Sequence, residues 1–277
     1  MNVSLRNLTV DDLTIAVHET RAAGPAIVLV HGNSCSSRAF EPQLAGELGR
    51  THRLVAIDLP GHGASSRATD PARTYTLPGY AHALVLVSRQ LELSDAVFFG
   101  WSLGGHVVLE ASGALPRAAG FAILGTPPIG RPPAMDRAFL PLPAAGVGFR
   151  EDSTEEEIRE FHQSFFKPGA AVPSVFAEDF RRTDGRARSA LAASIGSGGY
   201  RDEVAIVARL ETPLAILHGE DERLANGAYL QELTIPRLWR GSVQVLRGAG
   251  HAAQWEAPAA FDALLSAFAR DCGPRRG

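Results

Sequence analysis

One serine in this chain has the surroundings of a nucleophile. Ser102 stands in Gly100-Trp101-Ser102-Leu103-Gly104, after the apolar run 96–99 and before a stretch with helical spacing, 103–115. Between a strand and a helix, Gly-x-Ser-x-Gly makes a turn too tight for side chains two residues either side, and that turn lifts the hydroxyl clear of the sheet. A hydroxyl attacks poorly at neutral pH unless a base takes its proton and a third group holds the base. His251, in Gly248-Ala249-Gly250-His251 beyond the last expected strand, is placed for the base, whereas His31, His62 and His106 read as structural. The acid should come from His218-Gly219-Glu220-Asp221-Glu222-Arg223, where three carboxylates compete.

Attack on a carbonyl creates an oxyanion that needs two aimed donors. The backbone N–H of Leu103, next to the nucleophile, supplies one. The other is expected from Asn33, in His31-Gly32-Asn33-Ser34 after the strand 26–30. This chemistry calls for no metal and no cofactor. The two cysteines, Cys35 and Cys272, are too few for a zinc site or a disulfide framework.

Positioning these groups demands a rigid scaffold. Residues 3–10 and 13–19 alternate apolar with polar across Asp11-Asp12, which predicts an antiparallel hairpin at a sheet edge. The runs 26–30, 54–57, 96–99, 121–124 and 214–217 are almost wholly apolar, the pattern of strands buried on both faces of a parallel sheet. Helical spacing over 77–93 and 103–115, and later over 225–233 and 258–269 around a last strand 243–246, gives a strand–helix alternation. The expectation is an α/β fold with a mostly parallel eight-stranded sheet and helices on both faces.

The alternation stops at Gly125 and resumes near Arg201. A helical lid is expected over 125–200, inserted in a core made of 1–124 and 201–277, with Gly196 to Gly199 as the hinge where it rejoins. Thr154-Glu155-Glu156-Glu157 signals a helix start with a capping box and acids on the positive end. Phenylalanines of this insertion mostly glue it down. Phe139, Phe161 and Phe165, with Trp101 of the elbow, are the candidates for contact with substrate.

At 277 residues, 45% hydrophobic and 21% charged, the chain has enough apolar surface for one large core. A net charge of −3 with scattered arginines argues against nucleic acid or an anionic membrane as partner. The start of the chain lacks a signal pattern and no apolar run reaches the ~20 residues of a membrane span, so a cytoplasmic protein, monomer or homodimer, is expected.

Taken together, His31-Gly32-Asn33, Asp58-Leu59-Pro60-Gly61-His62-Gly63-Ala64-Ser65, Gly100-Trp101-Ser102-Leu103-Gly104, Gly219-x-x-Glu222 and Gly250-His251 resemble the α/β-hydrolase family over nearly the whole chain. In that family the acid follows a strand, a glycine and two residues, which falls on Glu222, with Asp221 one position early as the alternative. A serine nucleophile sets the chain apart from dehalogenases and epoxide hydrolases of this fold, which use Asp. Asn33, Ser102 with Leu103, and a Glu rather than an Asp at 222 make the chain similar to the N-acyl-homoserine lactonases of the fold. The resemblance implies hydrolysis of a small carboxylic ester or lactone, in the narrower reading quorum quenching. A general carboxylesterase or C–C bond hydrolase fits the same residues, and a non-catalytic ligand receptor is the rival from outside enzymes.

Overall fold

The computed structural model describes residues 3–273. Its centre is one eight-stranded sheet in the order β1-β2-β4-β3-β5-β6-β7-β8. The strands are β1 (Ser4–Val10), β2 (Leu13–Glu19), β3 (Ala26–Val30), β4 (Arg53–Ile57), β5 (Val97–Trp101), β6 (Gly120–Leu124), β7 (Leu214–Gly219) and β8 (Gln244–Leu246). β1 and β2 form the expected hairpin at the edge, turning at Asp11 with φ of 52°, and β2 joins β4 antiparallel. All other pairings are parallel.

Side chains alternate across a strand, so each central strand feeds two cores. Val28, Val30, Phe98, Phe121, Ile123 and Ile216 face one layer, with helices Leu77–Gln90 and Leu103–Ala111 packed over it. Ile27, Leu29, Phe99, Ala122 and Leu217 face the other, covered by helix Pro258–Cys272 and by aromatic residues from beyond β6. Burying a side chain of this size is worth roughly 1.5–3 kcal/mol, which is why these strands read as unbroken apolar runs. The helix expected to run to residue 115 stops at Ala111, because the Ser112 hydroxyl donates back to the Leu109 carbonyl and a 3-10 turn, Ser112–Ala114, follows.

Parallel register brings the strand ends together. Val30 pairs with Gly100, Trp101 with Leu124 and Leu217 with Gln244, so the loops after β3, β5, β7 and β8 leave from one edge of the sheet. That edge is where open α/β sheets place their sites. Between β6 and β7 run short helices, among them Glu155–Gln163, Ser174–Arg182 and Gly185–Gly196. Thr154 caps the first in the expected capping box, its hydroxyl and backbone N–H exchanging hydrogen bonds with Glu157. No helix among the described residues is long and apolar enough to cross a membrane.

Candidate active site

Ser102 occupies a backbone conformation that L residues rarely adopt, φ 54° and ψ −120°. The turn is held by its own hydrogen bonds. Ser102 N–H donates to Leu124 O at 2.9 Å, and its carbonyl accepts from Gly105 N–H at 2.9 Å and Thr126 Oγ1 at 2.8 Å. The flanking glycines are a packing necessity: a Cβ on Gly104 would run into the Val30 carbonyl, and one on Gly100 into the backbone of Gly104. Strain at such a turn persists only where its surroundings over-determine it, and here it aims the side chain. The hydroxyl does not cap the following helix.

His251 is buried in the loop after β8, and its Nδ1 lies 2.8 Å from Oε2 of Glu222. The other Glu222 oxygen accepts from the backbone N–H groups of Arg223 at 2.9 Å and Leu224 at 2.7 Å. Burial pushes the Glu222 carboxyl up, but the His251 charge and hydrogen bond, the Leu224 N–H and His218 outweigh it and hold the group below the ordinary glutamate value. An ionised Glu222 keeps the proton of His251 on Nδ1, which leaves Nε2 as the base. That Nε2 has no hydrogen-bond partner among the described residues. Of the competing carboxylates, Asp221 makes no side-chain bond to His251, and Glu220 accepts from Gly248 N–H at 2.9 Å on the surface.

Leu103 is the first residue of its helix, so its N–H belongs to the set that has no acceptor within the helix. Leu103, Asn33 and Ser102 line one cavity together with Leu77, His106, Ile129, Phe139 and Leu191, with Met135 and Phe149, exposed to solvent, at its mouth. The cavity is narrow, about 80 Å³. A larger groove, of about 510 Å³ between Ser112 and Arg209, contains none of these residues.

The aromatic expectations divide. Phe139 lines the cavity, whereas Trp101, Phe161 and Phe165 are not among the residues around it. Trp101 is fully buried, donates from Nε1 to the His251 carbonyl at 2.8 Å and packs against the His251 ring at 5.6 Å. Phe165 packs against the same ring at 5.5 Å, tilted by 43°, and its carbonyl accepts from Ala252 N–H at 2.7 Å. Phe161 packs edge-on against Phe165 and Phe180. Trp101 and Phe165 thus hold the imidazole directly, and Phe161 backs Phe165.

The insertion is tied to itself and to loops of the core, above all the one after β3, by buried and half-buried polar groups that the sequence did not reveal. Asn33 Nδ2 donates to Gly148 O at 2.5 Å, and Ser34 Oγ to Asn33 Oδ1 at 3.1 Å. Arg188, buried beneath, donates to the carbonyls of Arg150 at 2.7 Å and Glu151 at 2.6 Å and lies 4.0 Å from the centre of the Phe180 ring. Ser36 Oγ donates to Asp179 at 2.5 Å, and Tyr75 OH to Asp184 at 2.9 Å. His106, read from the sequence as structural, is bonded to Glu203 yet also faces the cavity. Among the described residues no group of three His, Cys, Asp or Glu side chains could hold a metal ion.

The fold and this constellation define a class: the chain belongs to the alpha/beta hydrolase family, the match running over residues 27–264. Within it, the chain is similar to the crystal structure of the N-acyl homoserine lactonase AidH complexed with N-butanoyl homoserine, at 37% identity over 99% of both chains with a TM-score of 0.95. It is also similar to curated proteins named pimeloyl-[acyl-carrier protein] methyl ester esterase. The one from Stenotrophomonas maltophilia (strain K279a) is 31% identical over 76% of this chain and 84% of that protein. The one from Xylella fastidiosa (strain 9a5c) is 37% identical over 110 residues, and the chain spans only 40% of its length.

Proposed function

We propose that this protein is a serine hydrolase that opens N-acyl-homoserine lactones, and so acts in quorum quenching. In this reading Ser102 Oγ attacks the lactone carbonyl carbon while His251 Nε2 takes the hydroxyl proton, and Glu222 steadies the imidazolium. The N–H groups of Leu103 and Asn33 hold the oxyanion, each such donor being worth ~3 kcal/mol of barrier. Collapse breaks the ring C–O bond, and His251 passes its proton to the departing alkoxide. A water then attacks the acyl-enzyme, with His251 as base again, releasing the ring-opened acid and restoring Ser102. Residues 125–200 serve as the lid, and Phe139 with Ile129 and Leu191 give the acyl chain an apolar berth.

The observation that carries the lactone over other esters is the full-length likeness to a lactonase, with a Glu seated on the histidine. A second reading, hydrolysis of a methyl ester on a carrier-bound acyl chain, is favoured by the names of the curated relatives. Turnover separates them. kcat/KM for N-butanoyl and N-hexanoyl homoserine lactone is expected to exceed that for p-nitrophenyl butanoate and for an acyl methyl ester; lactone turnover no better than background would overturn the assignment.

A further inference from the structure

His106 sits one helical turn beyond the nucleophile on helix Leu103–Ala111 and shares the cavity with Ser102. Side chains on a helix lean toward its N-terminus, so a ring four residues on inclines back toward Ser102. Its far side is gripped from below. Glu203, with no exposed surface, meets His106 Nδ1 with both carboxylate oxygens, at 3.0 and 2.9 Å. The same carboxylate accepts from the N–H of Ile129, another cavity-wall residue, at 2.8 Å. This is a second carboxylate–imidazole pair, on a ring that shares a cavity with Ser102, and the proposed mechanism gives it nothing to do.

In the neutral ring the Glu203 carboxylate holds the proton on Nδ1, and Nε2, which bonds to no described residue, then has its lone pair on the side away from Glu203. The surrounding wall is apolar, formed by Leu77, Leu103, Ile129 and Phe139. An amide N–H taken into such a wall without an acceptor loses its hydrogen bond to water and regains none. One lone pair beside the nucleophile therefore suits a substrate carrying one N–H next to its scissile carbonyl.

We propose that His106, oriented by Glu203, is a specificity residue that accepts a hydrogen bond from the amide N–H of an N-acylamino lactone and so sorts such lactones from those lacking an N–H. The proposal rests on the lactonase reading above and adds the group that recognises the amide.

The test compares kcat/KM for N-hexanoyl homoserine lactone and for its carba analogue, in which CH₂ replaces the N–H. The unaltered enzyme is expected to favour the amide by about tenfold, the value of one hydrogen bond made in a buried site. In His106→Phe combined with Glu203→Gln, which leaves no buried carboxylate without a donor, the ratio is expected to fall to about one while the carba analogue keeps its rate within about threefold. His106→Gln, which retains an acceptor oxygen, is expected to restore part of the preference. An undiminished ratio in the double variant, or an equal loss on both substrates, would overturn the proposal. So would a ratio near one in the unaltered enzyme, which decides the matter even if the double variant does not fold. Turnover of p-nitrophenyl butanoate with none of either lactone would overturn the lactonase reading and this assignment with it, whereas turnover of both lactones at equal rates removes only this assignment.

Discussion

His251 Nδ1 lies 2.8 Å from Glu222 Oε2, with the two side chains only 2% and 1% exposed. A carboxylate so placed fixes the tautomer of the imidazole and compensates the charge the ring takes up when it accepts a proton. Asp221, the neighbour with the commoner residue type, makes no such contact. Replacing Glu222 by Gln is expected to lower kcat by up to about 10⁴-fold with little change in KM, whereas Asp221→Ala leaves kcat within about threefold. Steady-state kinetics of the two variants checks this; the reverse ranking would move the acid to Asp221.

Gly125 stands against this pair. Its φ is 60°, and a Cβ there would sit 2.7 Å from the His251 ring and 3.2 Å from Glu222 Oε2. The ring would have to shift, and a displacement of about 1 Å in a reacting group costs on the order of 10²-fold in rate. Gly125→Ala is therefore expected to lose about 10²-fold in kcat while thermal unfolding remains cooperative, with Tm lowered by a few degrees through left-handed strain. Full activity in this variant would show that the imidazole has slack that the packing denies.

His162, wedged among Phe161, Phe165, Phe176 and Phe180, gives the fold an acid sensitivity. Burial pushes its imidazole from 6.5 down to about 4, despite the hydrogen bond with the Ile158 carbonyl. Between those values the unfolded chain binds a proton that the folded chain refuses, so this contribution to stability is complete above pH 6.5 and is lost as the pH falls toward 4. The size is up to about 3 kcal/mol. Urea unfolding at pH 7 and pH 4.5 is expected to show a smaller acid loss for His162→Phe than for the unaltered protein. Equal losses would mean that the buried ring does not carry the effect.

Much of the site was legible because its chemistry is local. The elbow glycines, the serine and the loop histidine each lie within a few residues of a strand end, and strands buried on both faces announce themselves as apolar runs. Lining and clamping were not legible. Arg188 reaches Arg150 and Glu151, and Ser36 reaches Asp179, 143 residues away. No spacing rule encodes such meetings, since packing of the insertion decides them. The same holds for Trp101: a large aromatic beside a nucleophile reads as a substrate contact, yet the parity of β5 turns it into the core layer beneath His251. For His106, a helix position gives no hint that the ring both bonds to Glu203 and lines a cavity.

Everything proposed for this protein depends on Ser102 being a nucleophile activated by His251. Incubation with a fluorophosphonate, followed by mass spectrometry of the digested protein, tests it directly. A single covalent adduct is expected on the peptide containing Ser102, formed at least about 10²-fold more slowly when His251 is replaced by Ala. No adduct at Ser102 in the folded protein, or labelling that is indifferent to His251, would contradict it and leave a ligand receptor on this fold as the better description.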